Sequence, residues 1–329
     1  MIKKHHASRI THQIIAAKLK TIQRGSMIEL DAIQRILIVG AGTMGQQIGL
    51  QCALHGYQVV IYDVQADALP TAEQRLSAAL AEIVAAGGCP ADQVEPVLAR
   101  ISWTAVPAEA AQDVDLLSES VPEDPALKGK VLAQFHALCP ERTIFTTNSS
   151  TLLPSMFAAA TGRPSQFAAL HFHLPVWLAN VVDIMPHPGT DTAVITLLEG
   201  FARRIGQIPI VLHKESSGYV FNAMLSALNT AALTLAVKGV AAPEDIDRAW
   251  MGVMKTPIGP FGISDMVGID TVWKITDFWA TTLGDRELRA NADFLKRYLD
   301  DGKLGRKSGA GFYTYPHPAF SHPDFLTGK

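Results

Sequence analysis

The sequence predicts an α/β protein: a doubly wound, mostly parallel sheet over the first two-thirds of the chain, followed by an all-α domain. Three observations carry that expectation. Short apolar, β-branched runs alternate with helical periodicity from residue 35 to about 212, and strands that alternate with helices build parallel sheets covered on both faces. A glycine-rich turn, Gly40-Ala41-Gly42-Thr43-Met44-Gly45, stands between the first such run and the first helical stretch. After Lys214 the β texture stops and the remaining residues read as successive helices.

Residues 35–39 (RILIV) suit a buried parallel strand, and a helix follows the glycine turn to about His55. A second strand, 59–62, ends at Asp63, and 66–100 reads as two helices joined at the Gly87–Pro90 turn. A strand at 115–118, a helix at about 124–138 and a strand at 143–147 continue the alternation. Further strands are expected at 167–172, 181–185 and 208–212, with a helix at about 191–205 between the last two. Beyond Lys214, 217–239 is one long helix, Pro243 opens another with a residue suited to a first turn, and 265–302 is again helical. The chain thus divides into an extension (1–34), a sheet domain (35–213) and a helical domain (214–329).

The extension stands apart in composition. Residues 1–28 carry Lys3, Lys4, Arg9, Lys18, Lys20 and Arg24 and no acid. That pattern fits a mitochondrial presequence, an upstream stretch ahead of a true start at Met27, or a short basic surface helix. The three remain open, and 1–34 is treated as disordered or non-native. Over the full chain, 48% hydrophobic and 18% charged residues describe a soluble globular protein. No run approaches the roughly 20 apolar residues of a membrane span. A net charge of −3 argues against a nucleic-acid partner, which would select a basic face. Cys52, Cys89 and Cys139 are too scattered for a disulfide framework or a metal-ligand set, so no metal is expected and the cytoplasm is the expected compartment.

The glycine turn has the context a dinucleotide site requires: a strand before it, a helix after it, and an acid ending the next strand. Gly40 permits the tight turn, Gly42 lets a pyrophosphate approach the backbone, and Gly45 lets helix and strand pack closely. Thr43 and Met44 open the helix, whose free amides favour phosphate. Asp63 would accept from the ribose hydroxyls and repel a 2′-phosphate, which selects NAD over NADP in a Rossmann-type domain.

Further motifs follow in order: Val121-Pro122-Glu123-Asp124 after Glu119, Thr147-Asn148-Ser149-Ser150-Thr151, Leu170-His171-Phe172-His173-Leu174-Pro175 ahead of Asp183, and Ser217-Gly218-Tyr219-Val220-Phe221-Asn222. Pro257-Ile258-Gly259-Pro260-Phe261 and Gly305-Arg306-Lys307-Ser308-Gly309-Ala310-Gly311-Phe312-Tyr313 complete the set. Over residues 35–315 this run resembles the L-3-hydroxyacyl-CoA (3-hydroxybutyryl-CoA) dehydrogenase family. The resemblance implies NAD-linked interconversion of a short (S)-3-hydroxyacyl-CoA and its 3-ketoacyl-CoA, chemistry of fatty acid metabolism. It maps the catalytic base onto His171, whose ordinary pKa of about 6.5 suits a proton acceptor near neutrality. Asp183, twelve residues on, takes the place of the family's orienting Glu. Ser150 maps to a residue that bonds the reacting oxygen, Asn222 to one that orients substrate and base, and Glu119 to an acid near substrate and nicotinamide. The same resemblance implies a homodimer through the helical domain, where Leu225, Leu228, Ala231, Ala232 and Leu235 form an apolar stripe; a core within one chain is the alternative.

The sequence departs from the family pattern in places that bear on substrate. Asp183 is one methylene shorter than Glu; Leu174 stands where Asn is usual; Trp177 enters a usually small run, where it would shorten the pocket. The stretch 66–100 offers only Arg75 and Arg100 against five acids, so no cationic clamp for CoA phosphates is visible. Two other readings therefore stand beside the acyl-CoA substrate: a dehydrogenase of free hydroxy acids, similar to gulonate or carnitine dehydrogenases, and a non-catalytic NAD-binding structural protein. His173 reads as a structural residue or a pocket wall.

Overall fold

The structure, a computed structural model, describes residues 28–328; most of the basic extension, with the readings attached to it, lies outside the described residues. The described chain divides between Tyr219 and Val220 into two compact units.

The first unit is built on one eight-stranded sheet. Its strands are β1 (Arg35–Val39), β2 (Gln58–Tyr62), β3 (Ile101–Thr104), β4 (Leu116–Glu119), β5 (Ile144–Thr147), β6 (Phe167–Phe172), β7 (Val181–Pro186) and β8 (Ile208–Val211). Their spatial order is β3-β2-β1-β4-β5-β6-β7-β8, parallel through β6; β7 then runs antiparallel to β6, and β8 follows β7. Period-two alternation splits each central strand between two cores. Ile36 and Ile38 of β1 face one cluster with Val59, Ile61 and Leu116, while Leu37 and Val39 face another with Val60, Leu117 and Phe145. Helices α1 (Thr43–Leu54), α2 (Leu69–Ala85), α3 (Val94–Leu98), α4 (Pro107–Ala110), α5 (Pro125–His136) and α6 (Thr192–Arg204) connect the strands, which makes the sheet doubly wound as expected.

Three local readings change. Strand β3 was not foreseen: it is a four-residue edge strand, paired only with β2, with a mostly half-buried pattern that gives neither a continuous apolar run nor clean alternation. The extension is shorter than 1–34, because Ile28 and Ile33 are buried and Leu30 packs over Gly200 of α6, where Arg204 bonds the Leu30 carbonyl and Asp31. The first unit also continues past 213. Leu212 and Tyr219 return to the sheet and are buried with Ala169 and Met185.

The second unit holds α7 (Phe221–Val237), α8 (Pro243–Met254), α9 (Pro260–Val267), α10 (Ile269–Leu283) and α11 (Arg286–Asp300). The stretch read as one helical run, 265–302, is therefore three helices, broken at Gly268 and at Gly284 (φ 64°), beyond which Asp285 caps α11 through the Glu287 and Leu288 amides. Two buried carboxylates organise the core. Asp247 accepts from the Phe261 and Gly262 amides and the Tyr313 hydroxyl; Asp265 accepts from the Phe312 and Tyr313 amides and the Tyr315 hydroxyl. These bonds tie α9 and the Gly311–Tyr315 segment together, which gives the two sequence motifs in this unit a structural use. Among the described residues, no helix is long and apolar enough to cross a membrane.

Candidate active site

At the carboxyl end of β1 the chain turns through Gly40, whose φ of 109° and close approach to the Ser120 carbonyl, 2.7 Å from where a Cβ would stand, admit only glycine. Gly45 is equally constrained, since a Cβ there would lie 1.9 Å from the Gly40 oxygen. Gly42 differs: a Cβ would meet nothing within 4 Å. It is the N-cap of α1 and brings no side-chain acceptor, so the first amides of α1, from Thr43 and Met44 onward, are left for a ligand. By contrast, α5 and α6 are capped by Asp124 and Asp191. Asp63 at the end of β2 accepts from the Ala41 amide at 2.8 Å and the Gln65 amide at 3.0 Å, so its carboxylate borders the glycine turn. Open space at Gly42, uncapped amides and this carboxylate together fit a dinucleotide.

Further along the sheet, the antiparallel register of β6 and β7 sets His171 directly opposite Asp183. His171 Nδ1 lies 3.2 Å from Asp183 Oδ2 and its Nε2 lies 3.1 Å from Ser150 Oγ. An ionised carboxylate only accepts, so the Nδ1 that faces it carries the proton and Nε2 presents its lone pair towards Ser150. Both partners are buried, at 3% and 1% exposure, whereas Ser150 is exposed. Burial pushes the His171 imidazole below its usual value, and the bond to Asp183 only partly opposes this. Burial alone would raise Asp183, but the imidazole donors outweigh it and hold the carboxyl below the usual range. The Tyr219 ring stacks on His171 at 4.4 Å and 6°, and its hydroxyl donates to the Ser149 carbonyl at 2.6 Å.

The loop that presents Ser150 is held from beneath by Glu123. One oxygen of Glu123 accepts from the Ser149 hydroxyl, the Ser150 and Thr151 amides and the Thr151 hydroxyl, while the other lies 3.4 Å from Lys128. These donors outweigh burial and hold the Glu123 carboxyl below its ordinary value. Glu119, expected near substrate and nicotinamide, instead lies fully buried, accepting from Lys128 Nζ at 2.8 Å, the Thr147 hydroxyl at 2.6 Å and the Val121 amide at 2.7 Å. These bonds anchor the ends of β4 and β5 to α5.

The first unit thus brings Ser150, His171 and Asp183 together by itself; Asn222 belongs to the second, half-buried near the start of α7. His173 does more than line a wall, for its Nε2 also reaches Asp183 Oδ2, at 3.0 Å. The His171, His173 and Asp183 donor atoms lie within 4.8 Å of one another, and the hydrogen bonds account for that closeness. Sequence reasoning passed over Glu123, Lys128 and Tyr219; Glu123 and Tyr219 stood in quoted motifs but meet partners distant in sequence, and Lys128 stood in none. Trp177 packs against the main core and lines a cleft of about 860 Å³ with Ile83, Val97 and Arg100.

A glycine turn that opens a helix beside a carboxylate, on a sheet that also carries a buried histidine–carboxylate pair, defines a dinucleotide-binding oxidoreductase. The chain belongs to the 3-hydroxyacyl-CoA dehydrogenase family: the family's NAD binding domain matches residues 35–216 and its C-terminal domain residues 218–315. It is 31% identical over 283 residues to a probable 3-hydroxybutyryl-CoA dehydrogenase of Bacillus subtilis (strain 168), covering 86% of this chain and 98% of that one. It is 32% identical over 287 residues to a 3-hydroxybutyryl-CoA dehydrogenase of Mycobacterium tuberculosis (strain H37Rv), covering 87% and 99%. Among solved structures, an (S)-3-hydroxybutyryl-CoA dehydrogenase from Ralstonia eutropha superposes with a TM-score of 0.78 at 29% identity, covering 87% and 100%. A diketoreductase described in connection with dual catalysis of dicarbonyl compounds superposes with a TM-score of 0.80 at 40% identity, covering 86% and 99%.

Proposed function

We propose that this protein interconverts a short (S)-3-hydroxyacyl-CoA, such as 3-hydroxybutyryl-CoA, and the 3-ketoacyl-CoA, with NAD as the hydride partner. The observation that carries the reading is His171, oriented by Asp183 through Nδ1 with its free Nε2 towards Ser150. NAD supplies the acceptor for the hydride that leaves C3. The protein supplies the rest. Nε2 of His171 takes the hydroxyl proton as the C–O bond becomes a carbonyl, and Asp183 stabilises the imidazolium that forms. Ser150 holds the reacting oxygen, and Asn222 contributes from the second unit. In reduction the same groups act in reverse, His171 giving its proton to the new alkoxide. Gly40, Gly42, Thr43, Met44, Gly45 and Asp63 hold the cofactor, Asp63 selecting NAD by its charge. We assign the chain to a homodimer formed through the second unit, which exposes Phe221, Met224, Phe278 and Trp279, and to the cytoplasm, where its three free, buried cysteines stay reduced.

A second reading has two observations in its favour. The diketoreductase shares more sequence with this chain than the acyl-CoA enzymes above. Arg100, one of two cations in the region where CoA phosphates would be sought, bonds the Ala53 carbonyl at 3.1 Å instead. NADH oxidation with acetoacetyl-CoA, measured beside free acetoacetate and a free diketo ester, separates the two. Turnover confined to the thioester is the expected result; turnover confined to the free dicarbonyl compounds would move the substrate to that class and leave the chemistry intact.

A further inference from the structure

The sheet register that pairs His171 with Asp183 also fixes what residue 173 can reach. His173 lies one residue past the end of β6, two residues on from His171, and from there its side chain reaches Asp183. The two imidazoles meet edge to face, with centroids 4.8 Å apart at 78°. Both address one oxygen: Asp183 Oδ2 lies 3.2 Å from His171 Nδ1 and 3.0 Å from His173 Nε2. The carboxylate is thus clamped between two donors. That clamp compensates for a particular weakness of aspartate, which lacks the extra methylene of glutamate and must hold one orientation to reach a ring on the facing strand.

We propose that His173 is a positioning residue for the dehydrogenase reaction: it fixes the Asp183 carboxylate against His171 and shares the oxygen that supports the base. This inference rests on the proposed role of His171. Sharing has a direction. An oxygen that accepts two donors supports an imidazolium at His171 less well than one that accepts a single donor, and any charge on His173 opposes it further. The groups facing His171 are Asp183 and His173 from β7 and the end of β6, Ser150 and Glu123 from the loops after β5 and β4, and the Tyr219 ring; Glu119 and Lys128 neutralise each other beneath.

The test compares the wild type with His173→Phe and His173→Gln, reading kcat, KM for NAD and the pH profile of kcat/KM in the direction of alcohol oxidation. His173→Phe is expected to lower kcat about tenfold, the low end of the loss when an outer hydrogen-bond partner is removed. Its KM for NAD stays unchanged, and its acid limb moves to higher pH because Asp183 then serves His171 alone. His173→Gln, which keeps a neutral N–H donor at the same reach, restores kcat to within about threefold of wild type. A His173→Phe enzyme with wild-type kcat and an unmoved acid limb overturns the proposal. So does a loss of kcat that His173→Gln fails to restore while both variants melt at the wild-type temperature. If His171→Ala retains full turnover, the functional reading itself fails; if only His171→Ala is impaired, that reading stands and this inference falls.

Discussion

His171 is constrained on every side that the first unit supplies: by Asp183 at Nδ1, Ser150 at Nε2, the Tyr219 ring on its face and the His173 edge. A base so enclosed titrates below its ordinary value, because burial disfavours the charged ring. The sign for catalysis follows. The neutral ring is the proton acceptor, so alcohol oxidation should keep its plateau as pH falls from about 8 to 6.5, with the acid limb below 6.5. A limb at or above 6.5 in kcat/KM would contradict this account of the site. The same burial acts on stability. The unfolded chain binds the proton more readily than the folded one, so this contribution is complete above 6.5 and is lost as pH falls through the folded value. His171 and Asp183 entered through the family resemblance; what the structure adds is that the antiparallel register of β6 and β7 sets them opposite each other. His173 was ambiguous, since a second histidine on the same strand face gains a role only when the geometry shows whose carboxylate it meets. The Glu119–Lys128 pair was not legible for a related reason: Lys128 lies nine residues away on α5, and no periodicity announces a buried pair.

The elements were legible where burial imposes a strong pattern. β1, buried from Ile36 to Val39, and β6, buried throughout, matched their expected bounds. β3 and the break at Gly284 were missed because an edge strand and a capped turn leave only weak periodicity. The apolar stripe on α7 is only partly spent within the chain: Ala232 is buried, while Ala231 and Leu235 are exposed. α10 likewise exposes Phe278, Trp279 and Leu283, with the two aromatic rings packed edge to face at 5.3 Å. Exposed apolar residues clustered in this way mark an interface. Sedimentation velocity on the purified chain should therefore show a dimer at micromolar concentration, and Phe278→Asp should shift it towards monomer while leaving the melting temperature of the monomer near wild type. A wild-type monomer across that range would remove the homodimer from the account.

For the whole molecule, the division of labour follows from its two units. The first contains the dinucleotide cradle, the Ser150–His171–Asp183 cluster and the Glu123 clamp beneath it; the second is a helical body knitted by Asp247 and Asp265, with Asn222 near the start of its first helix. Family membership over 35–216 and 218–315 fits that division, and the departures at Leu174, Trp177 and Asp183 all fall on β7 or in the segment between β6 and β7. The chemistry is therefore expected to be that of the family, with its local support rebuilt. The central claim is that His171 is the base, and the direct measurement is NADH oxidation with acetoacetyl-CoA by wild type and His171→Ala, with NADH binding read by fluorescence. The expected result is a loss of turnover of about a thousandfold with NADH affinity unchanged. A variant that binds NADH and turns over at the wild-type rate would contradict it.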